Sequence, residues 1–194
     1  MNPDIKKYIT VAVETHNKMI ADFEKNGIEI IAAIAGEIST ALKHDGTIYL
    51  CGNGGSAADA QHIAGELVGR FTRERKALAA VAFSTDTSVL TCIANDYSYE
   101  QVFARQAEAL VRKGDILWAF STSGSSANVI AAVRTAREKG AGIIAFTGRK
   151  GSELEQISDI CFCADAESTA RSQEIHQLAY HIICDLVESD FANS

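Results

Sequence analysis

The chain has 194 residues, 47% of them hydrophobic and 22% charged, with a formal net charge of −7. That length supports one well-buried core and leaves little room for a second, and no apolar run nears the roughly 20 residues that span a bilayer. The acidic balance, with no Lys/Arg cluster to offset it, excludes nonspecific nucleic-acid binding.

Residues 4–44 have helical periodicity. Ile5, Ile9, Val13 and Ile20, then Ile28, Ile31, Ile34, Ile38 and Leu42, recur near a 3.6-residue period. Gly27 separates the two runs, which predicts an antiparallel helical hairpin. Its apolar stripe needs a cover, so residues 1–45 are expected to serve as an oligomerisation extension of a single domain spanning 1–194. His16 and His44 read as surface residues. The N-terminus lacks the apolar segment of a signal peptide, so a cytoplasmic location is expected.

After Asp45-Gly46 the rhythm changes. Residues 47–51 form a short β-type run, followed by the glycine-serine turn 52–56 and a helix over 57–70. A second strand is expected at 79–83, then a helix to 95–96 and another over 100–112. The third strand covers 115–120, and Ser121-Thr-Ser-Gly-Ser-Ser126 leads from it into a helix ending at Gly140. Strands at 142–147 and 159–163 and a helix over 170–188 complete the pattern. Strands alternating with helices predict a parallel sheet covered on both faces, with ligands bound beyond the carboxyl ends of the strands. Cys161 and Cys163 suit same-face strand positions, and the five scattered cysteines read as reduced, packed thiols.

Two loops and one helix carry the candidate chemistry. Gly52, Gly54 and Ala57 satisfy the G-x-G-x-x-G/A dinucleotide pattern, but the acidic residue expected about 20 positions on is missing and Asp86 comes late. No Gly-Lys-Ser/Thr follows, so a Walker loop is excluded. A glycine turn opening a helix still offers unpaired N–H groups to an anion. Within 121–126, five of the six residues carry hydroxyls, more than a helix cap needs, and that density suits a phosphate monoester. His62 and Glu66, four apart, share a helix face, as do Gln173, Gln177 and His181, while His176 points elsewhere.

Gly52-Asn-Gly-Gly-Ser-Ala-Ala-Asp-Ala-Gln-His62, Ser121-Thr-Ser-Gly-x-Ser126 and Arg171-x-Gln-Glu-x-His176, with His181 beyond, resemble the sugar isomerase (SIS) domain proteins, and among them the phosphoheptose isomerase family. The resemblance covers essentially the whole chain, including Asn95-Asp96. It implies a three-layer α/β/α sandwich with a five-stranded parallel sheet of flavodoxin-like type, and a homotetramer whose active sites are shared between subunits. The implied reaction converts D-sedoheptulose 7-phosphate to D-glycero-D-manno-heptose 7-phosphate through an enediol, the entry to heptose biosynthesis for lipopolysaccharide or other surface glycans. Substrate contacts are expected at Asn53, Gly54, Gly55, Ser56, Glu66, Asn95, Asp96, Ser121, Thr122, Ser123, Ser126 and Gln173. Glu66 and His181 match the family's acid/base pair, and His62, Glu66, Gln173 and His181 its zinc ligands. A family acidic position is Ala170 here. On this reading the serine loop seats the phosphate and Asn53 to Ser56 grip the sugar. The rival is a non-catalytic SIS-fold binding protein of the type that associates with a replication initiator. An arabinose 5-phosphate isomerase would need a regulatory region for which the length leaves no room.

Overall fold

The computed structural model describes residues 2–192. In chain order the elements are α1 (Pro3–Asn26), α2 (Ile28–Lys43), β1 (Ile48–Cys51), α3 (Gly55–Val68), β2 (Ala80–Ala82), α4 (Thr87–Asp96), a 3-10 turn (Tyr99–Gln101), α5 (Ala104–Leu110), β3 (Ile116–Ser121), α6 (Ala127–Glu138), β4 (Gly142–Thr147), α7 (Glu153–Gln156), β5 (Ile160–Cys163) and α8 (Thr169–Ala192). Among the described residues, no helix is long and apolar enough to cross a membrane.

The strands form one sheet in the order β2-β1-β3-β4-β5, and every pairing is parallel. Strand alternation builds two cores from one sheet. Leu50, Trp118 and Ile144 are in register and face one core, under α2, α3 and α8. Their neighbours Tyr49, Leu117 and Ile143 face the other, with Val129 and Val133 of α6 and Ala107 of α5. Helices on both faces leave the central strands dry, which is why they read as unbroken apolar runs. The order reverses at β1, with β2 on one side and β3 on the other. The loops after β1 and β3 therefore flank the topological switch point, where such sheets bind ligands.

The N-terminal helices are both present, but they do not fold back as the expected antiparallel hairpin. Gly27 keeps right-handed backbone angles (φ −96°, ψ −25°). Its N–H donates to Phe23 O at 2.7 Å and its carbonyl accepts from Ile31 N at 3.0 Å, so the helical ladder runs through the joint. One such residue bends a rod without reversing it. α2 is buried against α8, whereas α1 buries none of its residues fully. α1 is tethered where His16 Nδ1 meets Glu174 of α8 at 2.8 Å and Arg171 donates to Ala12 O at 3.1 Å. His16 is thus half-buried and paired, while His44 is exposed as expected.

The stretch 100–112 is shorter as a helix than its pattern suggests. The adjacent residues Val102 and Phe103 are both buried, and the chain turns there before α5 begins. The four-residue α7 was not expected from the pattern.

His176 explains how α8 is fixed to the sheet. It is fully buried among Phe120, Phe146 and Phe162, and its Nε2–H donates to Thr147 O at 2.9 Å. Burial, opposed by the Thr147 carbonyl, lowers its pKa from 6.5 to about 4. The folded state resists a proton that the unfolded state accepts, so this stability is complete above pH 6.5 and is lost as pH falls towards 4. The shift corresponds to about 3 kcal/mol. Denaturant unfolding at fixed protein concentration should therefore show ΔG falling across this window. His176→Leu should remove one proton's worth of that slope, and an unchanged slope would assign it to other groups.

Candidate active site

The glycine loop leaves β1 through Gly54, whose φ of +55° and ψ of −120° suit glycine and exclude a side chain. Asn53 is not free to turn. Its amide and that of buried Asn128 exchange two hydrogen bonds, each 2.8 Å, and the Tyr99 hydroxyl donates to Asn53 Oδ1 at 3.0 Å. Asn128 lies in the first turn of α6, directly after the serine loop, so this pair locks the two loops together. Ser56 is buried in the first turn of α3, and its N–H donates to Asn53 O at 3.0 Å. The dinucleotide pattern finds no acidic partner at the end of β2. Asp86 instead caps α4, accepting from Val89 N at 3.0 Å.

In the serine loop, Ser121 Oγ lies 2.9 Å from Ser126 Oγ and 3.3 Å from Ser123 Oγ. Gly124, at φ +65°, gives the turn, and Ser126 sits at the N-cap of α6 without capping it through its side chain. The hydroxyls thus point at one another around the helix start, available to an anion with the dipole behind them. Thr122 and Ser123 also line a cleft of about 90 Å³ with Arg149, Thr169 and Ser172. Arg149 is a cation beside the hydroxyls that motif reading overlooked. Asn95 and Asp96 occupy the exposed end of α4, where Asn95 Nδ2 donates to Asp96 Oδ1 at 2.9 Å.

α3 and α8 pack together and gather His62, Glu66 and His181, with one donor atom from each within 4.8 Å of the others. His62 Nε2 is 3.0 Å from Glu66 Oε1, and its Nδ1 is 3.0 Å from the Tyr180 hydroxyl. The rings of His62 and His181 are 5.0 Å apart, and Phe71 covers His181 at 5.7 Å. Burial lowers the His181 pKa, and nearby His62 adds to this against the opposing charge of Glu66. Its imidazole is therefore neutral near pH 7 and able to accept a proton. Gln173 sits at the other end of α3: a Cβ on Gly55 would lie 2.5 Å from its Nε2. Gly55 precedes His62 by two helical turns, roughly 10 Å.

Imidazole and carboxylate are ordinary zinc donors, and bonds of about 2.1 Å place tetrahedral ligand atoms roughly 3.4 Å apart. The three-residue cluster fits such an ion with little movement, and Tyr180 orients His62 as second partners of metal-bound histidines do. The cluster includes no cysteine, although buried Cys184 lies close to Glu66 and Arg75. Burial keeps the thiols protonated, pushing Cys51 and Cys184 up to about 12 and Cys161 to about 11.

The five-stranded parallel sheet carries the hydroxyl loop at its switch point, and the family model described as SIS domain matches residues 13–148. Relatives named phosphoheptose isomerase include one from Thiobacillus denitrificans, 59% identical over 151 residues (76% of this chain, 77% of the relative). Another, from Roseiflexus sp., is 54% identical over 159 residues (82% and 81%). The structure of phosphoheptose isomerase from Neisseria gonorrhoeae superposes with a TM-score of 0.90 at 41% identity, covering 95% of this chain and 99% of that one. The chain belongs to the phosphoheptose isomerase family of SIS-domain proteins.

Proposed function

We propose that the protein is an aldose–ketose isomerase converting D-sedoheptulose 7-phosphate to D-glycero-D-manno-heptose 7-phosphate, the first step of heptose biosynthesis for lipopolysaccharide or other surface glycans. The observation that carries this reading is the convergence of the Glu66 carboxylate and the neutral His181 imidazole from two helices. Isomerisation removes a proton from C1 while O2 gains one, giving the enediol. O1 then loses its proton and C2 gains one. A carboxylate and an imidazole facing the same two carbons can share these four transfers. Ser121, Thr122, Ser123 and Ser126 seat the phosphate, Asn53 to Ser56 hold the sugar with Gln173, and Asn95 and Asp96 contact its hydroxyls. His62, Glu66 and His181 would hold zinc, while Gln173, packed on Gly55 at the other end of α3, lies apart from these three donors of its own chain. When bound, the ion supplies a Lewis acid beside the reacting oxygens.

Glu66 lies eleven residues beyond Gly55, roughly 16 Å down the axis of α3. A phosphate in the serine loop and a C1 atom beside Glu66 of the same chain are too far apart for a seven-carbon backbone to bridge comfortably. We therefore take the active site to be shared between subunits of a homotetramer. The exposed apolar residues of α1, with Tyr8 79% exposed and Ile5 54%, support this assembly. Five free cysteines support a reducing compartment, the cytoplasm.

Purified protein should turn over sedoheptulose 7-phosphate, and Glu66→Gln and Ser121→Ala should each be strongly impaired alone. Mixing the two after subunit exchange should restore part of the activity, because some sites then pair an intact Glu66 with an intact Ser121. Turnover without complementation would confine the site to one chain. Binding of a replication initiator with no turnover would favour the non-catalytic reading.

A further inference from the structure

Glu188 takes no part in the chemistry above, yet its surroundings are specific. It is 1% exposed on α8 and accepts hydrogen bonds from the N–H groups of Phe71, Thr72 and Arg73, each at 2.7 Å, and from the Thr72 hydroxyl at 3.2 Å. The side chain of Arg75 is equally buried, with Nε 3.5 Å from the carboxylate. Its guanidinium donates to the carbonyls of Glu66 at 2.7 Å, Gly69 at 2.9 Å and Lys76 at 3.0 Å. A buried ion pair is costly to desolvate and is weak evidence of a contribution to stability.

Its connections lead to the acid/base cluster. Glu188 follows His181 by seven residues, two turns down the same face of α8. Arg75 grips the carbonyl of Glu66 itself, in the last turns of α3, where helix carbonyls lack partners. Phe71, whose N–H Glu188 holds, lies against the His181 ring. The two helices that carry the reacting groups are thus tied together directly below those groups. The substrate-gripping loops lie at the opposite end of α3.

We infer that the buried Arg75–Glu188 pair is a positioning clamp that sets the separation of Glu66 and His181. The inference rests on the isomerase reading above. A clamp at this end of α3 acts on the chemical step and not on sugar-phosphate binding, because it touches neither the serine loop nor Asn53.

Two variants loosen it differently. Glu188→Gln keeps the shape but puts an amide NH2 where one carboxylate oxygen accepted from backbone N–H, and Arg75→Lys keeps the charge but loses the planar fork that reaches Glu66 O. In each, kcat should fall about 30-fold, in the range that misplacement by an ångström produces, with KM within about twofold of wild type. The control is Asp185→Asn, which removes the exposed Arg73–Asp185 pair on the outside of the same loop and should leave both constants unchanged. The His181 ring protons, shifted by Phe71, should move in the NMR spectra of both clamp variants and stay in place in the control. Wild-type kcat in either folded clamp variant, or parallel loss of kcat and KM, would overturn the clamp. So would unmoved His181 signals, whatever the activity. If Glu188→Gln does not fold, Arg75→Lys decides. A wild-type protein without turnover removes the isomerase reading alone, and the NMR comparison still tests the clamp.

Discussion

Glu66→Gln is expected to lower kcat by about a thousandfold while leaving sugar-phosphate binding nearly intact, since a positioned acid/base group contributes roughly 10²–10⁴. Glutamine fills the same volume, so α3 and its contact with α8 survive. What disappears is the proton-accepting carboxylate, whose Oε1 lies 3.0 Å from His62 Nε2. His181→Gln should cost at least about a hundredfold for the same reason. The discriminating measurement is a competition assay with product or inorganic phosphate alongside the kinetics. If KM and inhibitor affinity collapse with kcat, Glu66 shapes the pocket instead of moving protons. Residual turnover near wild type in both variants would remove the acid/base assignment. The double variant should lose little more than the worse single one, because residues acting as a unit are not additive.

Much of this site was legible in the chain, for identifiable reasons. Hydroxyl density at 121–126 and four-residue spacing at His62/Glu66 are local signals, and local signals survive in a sequence. The alternation of strand and helix gave the parallel sheet, and with it the edge on which both loops would lie. Residues whose roles depend on non-local contact were not legible. Asn128 reads as an ordinary first-turn polar residue until it pairs with Asn53, 75 positions away. Glu188 reads as one more acid on a surface helix until it meets the backbone of Phe71 and Thr72, more than a hundred positions earlier. Its carboxyl illustrates the difference. Burial alone would raise its pKa, yet the backbone donors of Thr72, Arg73 and Phe71 outweigh it and hold the group below the ordinary value. Gly27 misled in the opposite direction. Glycine permits a chain reversal without requiring one, and here packing of α2 on α8 keeps the residue helical.

The two glycines flanking the turn offer the second large effect, and they should behave oppositely. A Cβ on Gly52 would lie 2.8 Å from both Cβ and O of Ser56 and 2.9 Å from its carbonyl carbon. Two of those atoms are backbone, so no rotamer change relieves the clash, and the start of α3 must move. Gly52→Ala is therefore expected to destabilise the fold by about 2 kcal/mol, as overpacking does. It should also lower kcat/KM at least about a hundredfold, since α3 carries His62 and Glu66. Gly55→Ala meets only the amide of Gln173, the free end of a long side chain that can swing aside. Alanine is also the better helix former, by about 1 kcal/mol in a helix interior and by less at this first helical position, so thermal stability should hold or rise slightly. Activity should nonetheless fall, because the displaced amide is the one assigned to the sugar. A melting curve and steady-state kinetics on both variants separate the two outcomes. Equal activity losses accompanied by equal stability losses would mean that Gln173 serves only as packing against the glycine loop. A stable, weakened Gly55→Ala beside an unstable Gly52→Ala would place Gln173 in the working site.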